Sequence, residues 1–130
     1  MNKDFDKWNT RKVKIDSIEG RPFFHVGEVW SCYLGINVGY EQDGKGDDFL
    51  RPIVIIKKFG KETFWGIPLT TKEKKERPYF FTFTFVEGVK STATLSQLRL
   101  IDARRLAYKI GQLHEKDASE LRKKLKELLP

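Results

Sequence analysis

The chain has 130 residues, a formal net charge of +7, one cysteine and two histidines; its length suits one domain with one core, and so few sulfur and imidazole ligands exclude a disulfide scaffold and a structural zinc site. No run of about 18 uncharged apolar residues is present to span a membrane, and the opening Met-Asn-Lys-Asp-Phe-Asp-Lys-Trp lacks the apolar centre and cleavage site of a signal peptide, so a cytoplasmic protein without membrane contact is expected. Lys and Arg outnumber Asp and Glu by 6 to 4 in residues 1–26, by 11 to 10 in 27–102 and by 8 to 4 in 103–130; an anion site in the near-neutral middle must come from individually placed cations, and the basic end is either a steering surface or the solvated face of a helix.

Residues 1–26 are polar with scattered aromatics, Phe5, Trp8, Phe23 and Phe24, and read as an extension packing on a domain over 27–130. Residues 28–34 alternate, with Trp30, Cys32 and Leu34 on one face of a strand. The connection over 36–50 is longer than most, and such loops often carry function. Pro52-Ile53-Val54-Ile55-Ile56 is an unbroken, mostly β-branched run that suits burial on both faces. Strands follow over 63–69 and 79–85, the second with Phe81, Phe83 and Phe85 on one face and Thr82 and Thr84 on the other. Two more are expected over 93–101 and 106–113, separated by a turn at Asp102-Ala103-Arg104-Arg105. Asp117-Ala118-Ser119-Glu120 reads as an N-cap with an acidic third residue, and Leu121, Leu125 and Leu128 then form the stripe of one amphipathic helix closed by Pro130. Five or six short strands and one helix cannot cover both faces of an open sheet. A mainly β fold is therefore expected, a small curled sheet or barrel sealed by the C-terminal helix.

Several chemistries fail on inspection. Gly39-Tyr40-Glu41-Gln42-Asp43-Gly44-Lys45 fits the start of a phosphate-cradling loop, but Gly46 stands where a Ser or Thr must hold magnesium, and a strand follows instead of a helix. Asp43, Asp47 and Asp48 lack the ligand order and final Glu of a calcium loop, and no cofactor or metal is expected. His25 precedes the first strand and His114 the last helix, so neither sits on a rigid element. Cys32, on an alternating strand, reads as a small core residue. What remains is a set of polar residues at strand ends: Arg51 before the buried run, Thr70 and Thr71 after 63–69, and Ser96-Gln97-Leu98-Arg99. In an antiparallel pair the start of one strand faces the end of its neighbour, so Arg51 and Thr70 can meet as an oxyanion-holding pair.

At these residues the sequence resembles the MazF/PemK family of toxin endoribonucleases from type II toxin–antitoxin systems. The resemblance is carried in order by Gly27-Glu28-Val29-Trp30, Gly39-Tyr40-Glu41-Gln42, Arg51-Pro52-Ile53-Val54-Ile55, Ile67-Pro68-Leu69-Thr70, and Ser96-Gln97-Leu98-Arg99-Leu100-Ile101-Asp102 followed by Arg105-Leu106. It implies an SH3-like small β-barrel with a C-terminal helix, a homodimer, a cognate antitoxin partner, and metal-independent cleavage of single-stranded RNA (mRNA) to 2′,3′-cyclic phosphate and 5′-hydroxyl ends. The family's catalytic arginine falls on Arg51 and its catalytic threonine on Thr70. Gln42, Thr71, Ser96, Gln97 and Arg99 then stand near the RNA, with Glu41 as a base or a site-organising carboxylate.

Some family members place an acidic residue just before the Gln and an arginine two positions earlier; here those places hold Ser96 and Thr94, which leaves the proton-transfer roles open. Fold alone does not settle function. The related CcdB branch shares the barrel but inhibits DNA gyrase, and a non-catalytic barrel binding RNA or protein is a third reading. The Arg51–Thr70 pair discriminates against the gyrase inhibitor, which would not need it, and RNA cleavage itself discriminates against the non-catalytic barrel.

Overall fold

The computed structural model describes residues 4–35, 44, 49–72, 77–86 and 88–130. Within them the elements run α1 (Phe5–Asp16), β1 (Glu28–Tyr33), β2 (Leu50–Phe59), β3 (Thr63–Thr70), β4 (Phe80–Val86), β5 (Val89–Thr94), β6 (Arg99–Asp102), β7 (Leu106–Gln112) and α2 (Glu115–Leu128). All ladders are antiparallel, in the order β4-β5-β3-β2-β1-β7 with β6 also on β3. Neither described helix is long and apolar enough to cross a membrane.

The β-branched run of β2 behaves as its composition dictates. Ile53, Val54 and Ile55 are all fully buried, with Val54 in one core and Ile53 and Ile55 in another on the opposite face of the sheet. The first core gathers Val29, Ile67, Leu69, Phe81 and Phe83 under Ala118 and Leu121 of α2. The second packs Trp30, Cys32 and Phe64 against Phe24, Ile101 and Leu106. In β4 the aromatic face forms as the alternation requires: Phe81 stacks on Phe83 at 5.7 Å between centroids, and Phe83 meets Phe85 at 5.9 Å.

The sheet is curled but not closed. No ladder joins β4 to β7 among the described residues; the Phe85 ring instead lies against Gly111 of β7, 3.0 Å from where a Cβ would stand. Side-chain packing thus occupies the seam at which hydrogen bonds would complete the expected barrel. The strand expected over 93–101 is also interrupted. Ala93 lies opposite Leu69 and Arg99 opposite Gly66, so six steps along one strand match three along β3, and a 3-10 turn at Leu95–Gln97 absorbs the excess. The turn foreseen at 102–105 is present as a second 3-10 segment, Ala103–Arg105. Helix α2 begins at Glu115, earlier than the Asp117 cap suggests, with Glu115 and Asp117 both in its first turn, where they oppose the helix dipole's positive end.

The N-terminal segment contains a helix that propensity alone did not signal. Asp4 caps α1 by accepting from the Lys7 amide at 2.9 Å, and Trp8 and Ile15, seven positions apart on one face, are the buried residues. Trp8 packs on Phe49 at 5.4 Å and covers Gly35, where a Cβ would overlap the indole. Arg21 fastens the following stretch by two bonds to Asp102, 3.1 and 3.0 Å long, and Arg104 binds the same carboxylate at 3.1 and 2.9 Å. Burial raises the Asp102 pKa, but these guanidinium bonds outweigh it and hold the carboxyl well below its usual range. A depressed carboxylate stabilises the fold above its unfolded value, near 4, and that contribution is lost as pH falls through the folded value. Thermal unfolding between pH 7 and pH 3 is therefore expected to show a steeper acid loss in the parent than in Asp102→Asn; parallel curves would contradict the assignment.

Candidate functional site

Register brings the two strand-end residues together. β2 and β3 pair as far as Ile53 with Pro68, and just beyond that ladder Arg51 near the start of β2 and Thr70 at the end of β3 line the same cavity. Pro52 beside them has no amide to leave unpaired at this margin. Arg51 is partly exposed, and its Nη1 donates to the Leu69 carbonyl at 3.2 Å. Thr70 is buried; its hydroxyl accepts from the Lys72 amide at 3.2 Å, which leaves its own proton to be donated. Both residues and Thr71 line one cavity of about 250 Å³. A guanidinium fork and a hydroxyl on one wall form a site for a tetrahedral anion.

A larger cavity, about 410 Å³, lies between α1 and the Ala103–Arg105 turn. Its carboxylates are already engaged: Asp102 by Arg21 and Arg104, and Asp16 by Arg104 at 3.6 Å. Size favours that cavity, but the smaller one holds Arg51 and Thr70 together.

The remaining predicted residues divide. Thr71 is exposed at the cavity wall. Ser96 and Gln97 belong to the 3-10 turn and Arg99 opens β6 opposite Gly66; none of the three lines the cavity. Glu41 and Gln42 lie outside the described residues, as does most of the glycine-rich stretch around them. The neck of that loop is described: the Gly35 amide donates to the Phe49 carbonyl at 3.1 Å and the Gly44 amide to Gly35 at 2.6 Å. Phe49, at φ 57°, takes a left-handed conformation two residues before Arg51.

Cys32 is fully buried, and burial pushes its thiol up to about 12, far from a nucleophile's range. His25 pairs with Glu28 at 3.6 Å and His114 is the residue before α2; neither reaches the cavity. Burial would raise the Glu28 pKa, but Lys109, Trp30 and the His25 amide donate to it and keep it ionised. Arg105, pushed down by burial and by Arg99, donates to the Tyr33 carbonyl and stands over the Trp8 ring at 5.7 Å. Sequence reasoning missed Ser91, which lines the same cavity as Arg51; its only signal is its register opposite Phe83.

A family model described as the PemK-like, MazF-like toxin of type II toxin–antitoxin systems matches residues 25–129. No curated protein matches the sequence. Among solved structures, the chain is similar to the crystal structure of MazF from Deinococcus radiodurans, at 22% identity and a TM-score of 0.66 over 85% of this chain and 97% of that one. A mycobacterial endoribonuclease in complex with its cognate antitoxin is similar at 14% identity and a TM-score of 0.62, covering 83% of this chain and 98% of that one. The Mycobacterium tuberculosis toxin MazF-mt6 follows at 14% and 0.59, covering 77% and 93%. At such identities the structural likeness establishes the fold.

Proposed function

The chain belongs to the PemK-like, MazF-like toxin family of type II toxin–antitoxin systems, and from that membership we propose that it is a metal-independent, sequence-specific endoribonuclease acting on single-stranded RNA in the cytoplasm. The observation that carries this reading is the meeting of Arg51 and Thr70 at one cavity. RNA brings its own nucleophile. The 2′-hydroxyl loses its proton to a base, its oxygen bonds to phosphorus, the bond to the 5′-oxygen breaks, and that oxygen takes up a proton. A 2′,3′-cyclic phosphate and a 5′-hydroxyl result.

Arg51 supplies permanent charge and forked donors to the phosphoryl oxygens, and Thr70 a further donor; such stabilisation is most valuable where the extra negative charge develops. Because the nucleophile is the substrate's own and the charge is met by a guanidinium, the steps need no metal-bound water. Glu41 is assigned as the base or as the carboxylate that organises the site. Gln42, Thr71, Ser96, Gln97 and Arg99 are assigned to the RNA path outside the reacting atoms. An antitoxin is the expected protein partner, which the relatives solved with MazE or a cognate antitoxin support, and the working form is a homodimer.

The test is incubation of the purified chain with a long RNA in the presence of a metal chelator, followed by mapping of cut positions and end chemistry. Cuts at a recurring short motif, ending in cyclic phosphate and 5′-hydroxyl, are expected. Intact RNA, or 5′-phosphate ends, would overturn the proposal.

A further inference from the structure

We propose that the cavity between α1 and the Ala103–Arg105 turn is a second anion site, which takes a small phosphate monoester on Lys12 and Arg105. The site is separate from the Arg51–Thr70 cavity and does not depend on the ribonuclease reading. Its helical wall is one stripe of α1: Asn9, Lys12, Val13 and Asp16 line the cavity at positions i, i+3, i+4 and i+7. All four precede residue 25, where the family match begins, so this wall lies outside the shared domain. Asp102, Arg104 and Arg105 form the opposite wall.

Charge selects the ligand. The two carboxylates are already met by two guanidinium groups, Asp102 by Arg21 and Arg104, and Asp16 by Arg104. Lys12 and Arg105 are the surplus. Lys12 is exposed and makes no hydrogen bond or ion pair among the described residues. Arg105 is half-buried; beyond the Trp8 ring it has one long hydrogen bond, to the Tyr33 carbonyl at 3.4 Å, and no carboxylate within ion-pair distance among the described residues. Burial and the neighbouring Arg99 both disfavour its charge, a cost that an anion in the cavity offsets. A guanidinium fork and an ammonium facing one space match an oxyanion with two negative charges, as a phosphate monoester has and a phosphodiester has not.

The dimensions call for more than a bare ion. At about 410 Å³ the cavity falls within the roughly 300–1,000 Å³ of sites that hold small organic molecules. Val13 and Ile15 supply apolar wall for the organic part, and Asn9 a donor and an acceptor. Such a ligand bridges α1 and the turn. Because Trp8 of the same helix packs on Phe49 at 5.4 Å, occupancy fastens the helix to the domain, and a ligand that binds only the folded chain raises its stability.

Ribose 5-phosphate, with dimethyl phosphate as the diester control, is titrated into the full chain at constant ionic strength and followed by amide NMR shifts. Shifts at Lys12, Val13, Arg104 and Arg105 are expected, with the monoester about tenfold tighter than the diester. Lys12→Gln and Arg105→Gln should each weaken the monoester about tenfold, and ribose 5-phosphate should raise the Tm of the parent but not of Lys12→Gln. Lys12 is exposed, so its variant keeps the fold and remains decisive even if Arg105→Gln is unstable. No shifts at the cavity, equal affinity for the two esters, or unchanged binding in Lys12→Gln overturns the proposal. A short oligodeoxynucleotide without terminal phosphates that shifts these residues as strongly as ribose 5-phosphate would assign the cavity to a nucleic-acid backbone and overturn it as well.

Discussion

Replacing Arg51 by alanine is expected to lower RNA cleavage by about 10²–10³-fold, and Thr70→Val by a similar factor, because in the proposed mechanism each removes a donor to the oxygens on which charge accumulates; one such donor is typically worth about 3–4 kcal/mol of barrier. The variants should remain folded. Arg51 stands partly exposed at the start of β2, ahead of the buried Ile53, Val54 and Ile55, and valine preserves the shape of Thr70 while removing its hydroxyl. Conservative changes sharpen the prediction. Arg51→Lys keeps the charge but loses the planar fork, so an intermediate loss is expected, and Thr70→Ser should retain most activity. Initial rates at matched ionic strength, with melting curves alongside, decide the matter; variants that cut RNA as fast as the parent would remove both residues from the mechanism.

Trp8→Ala is expected to have the largest effect on stability. The indole is 5% exposed, packed on Phe49 and Gly35 and faced by the Arg105 guanidinium, and truncating a buried Trp typically costs about 3–5 kcal/mol. For a chain of this size that corresponds to a fall in Tm of roughly 10–20 °C. Its location gives a second signature. Trp8 covers both ends of the long connection between β1 and β2, so hydrogen exchange at the Gly35 and Gly44 amides should accelerate in the variant while the β4–β5 hairpin keeps its protection. Trp8→Phe should recover much of the loss. Unchanged exchange at the neck together with an unchanged Tm would show that α1 is not held by Trp8.

The parts of this fold legible in the sequence are those whose burial is written locally. The run at 52–56, the phenylalanine alternation in β4 and the leucine stripe of α2 each state which face goes inward, and Arg51 and Thr70 followed from their places at strand ends. What was illegible depends on distant partners. Val89-Lys90-Ser91-Thr92-Ala93-Thr94 has little apolar pattern, yet it forms β5 because β4 and the end of β3 supply its ladder. Helix α1 has only two buried positions, and the surface that receives Trp8, at Gly35 and Phe49, is remote in the chain. Barrel closure could not be read either, since the contact of Phe85 with Gly111 replaces hydrogen bonds with packing.

Strand β3 pairs with β2 along one edge and with β6 and then β5 along the other. A slip of one residue would turn every side chain to the wrong face, and in β3 it would have to break three ladders at once. The position of Thr70 at the end of β3, beside Arg51 of β2, is therefore insured by the whole sheet, because β5, which walls the same cavity, is itself one of those ladders. The order of strands that builds the core thus also sets how rigidly the cavity's polar wall is held.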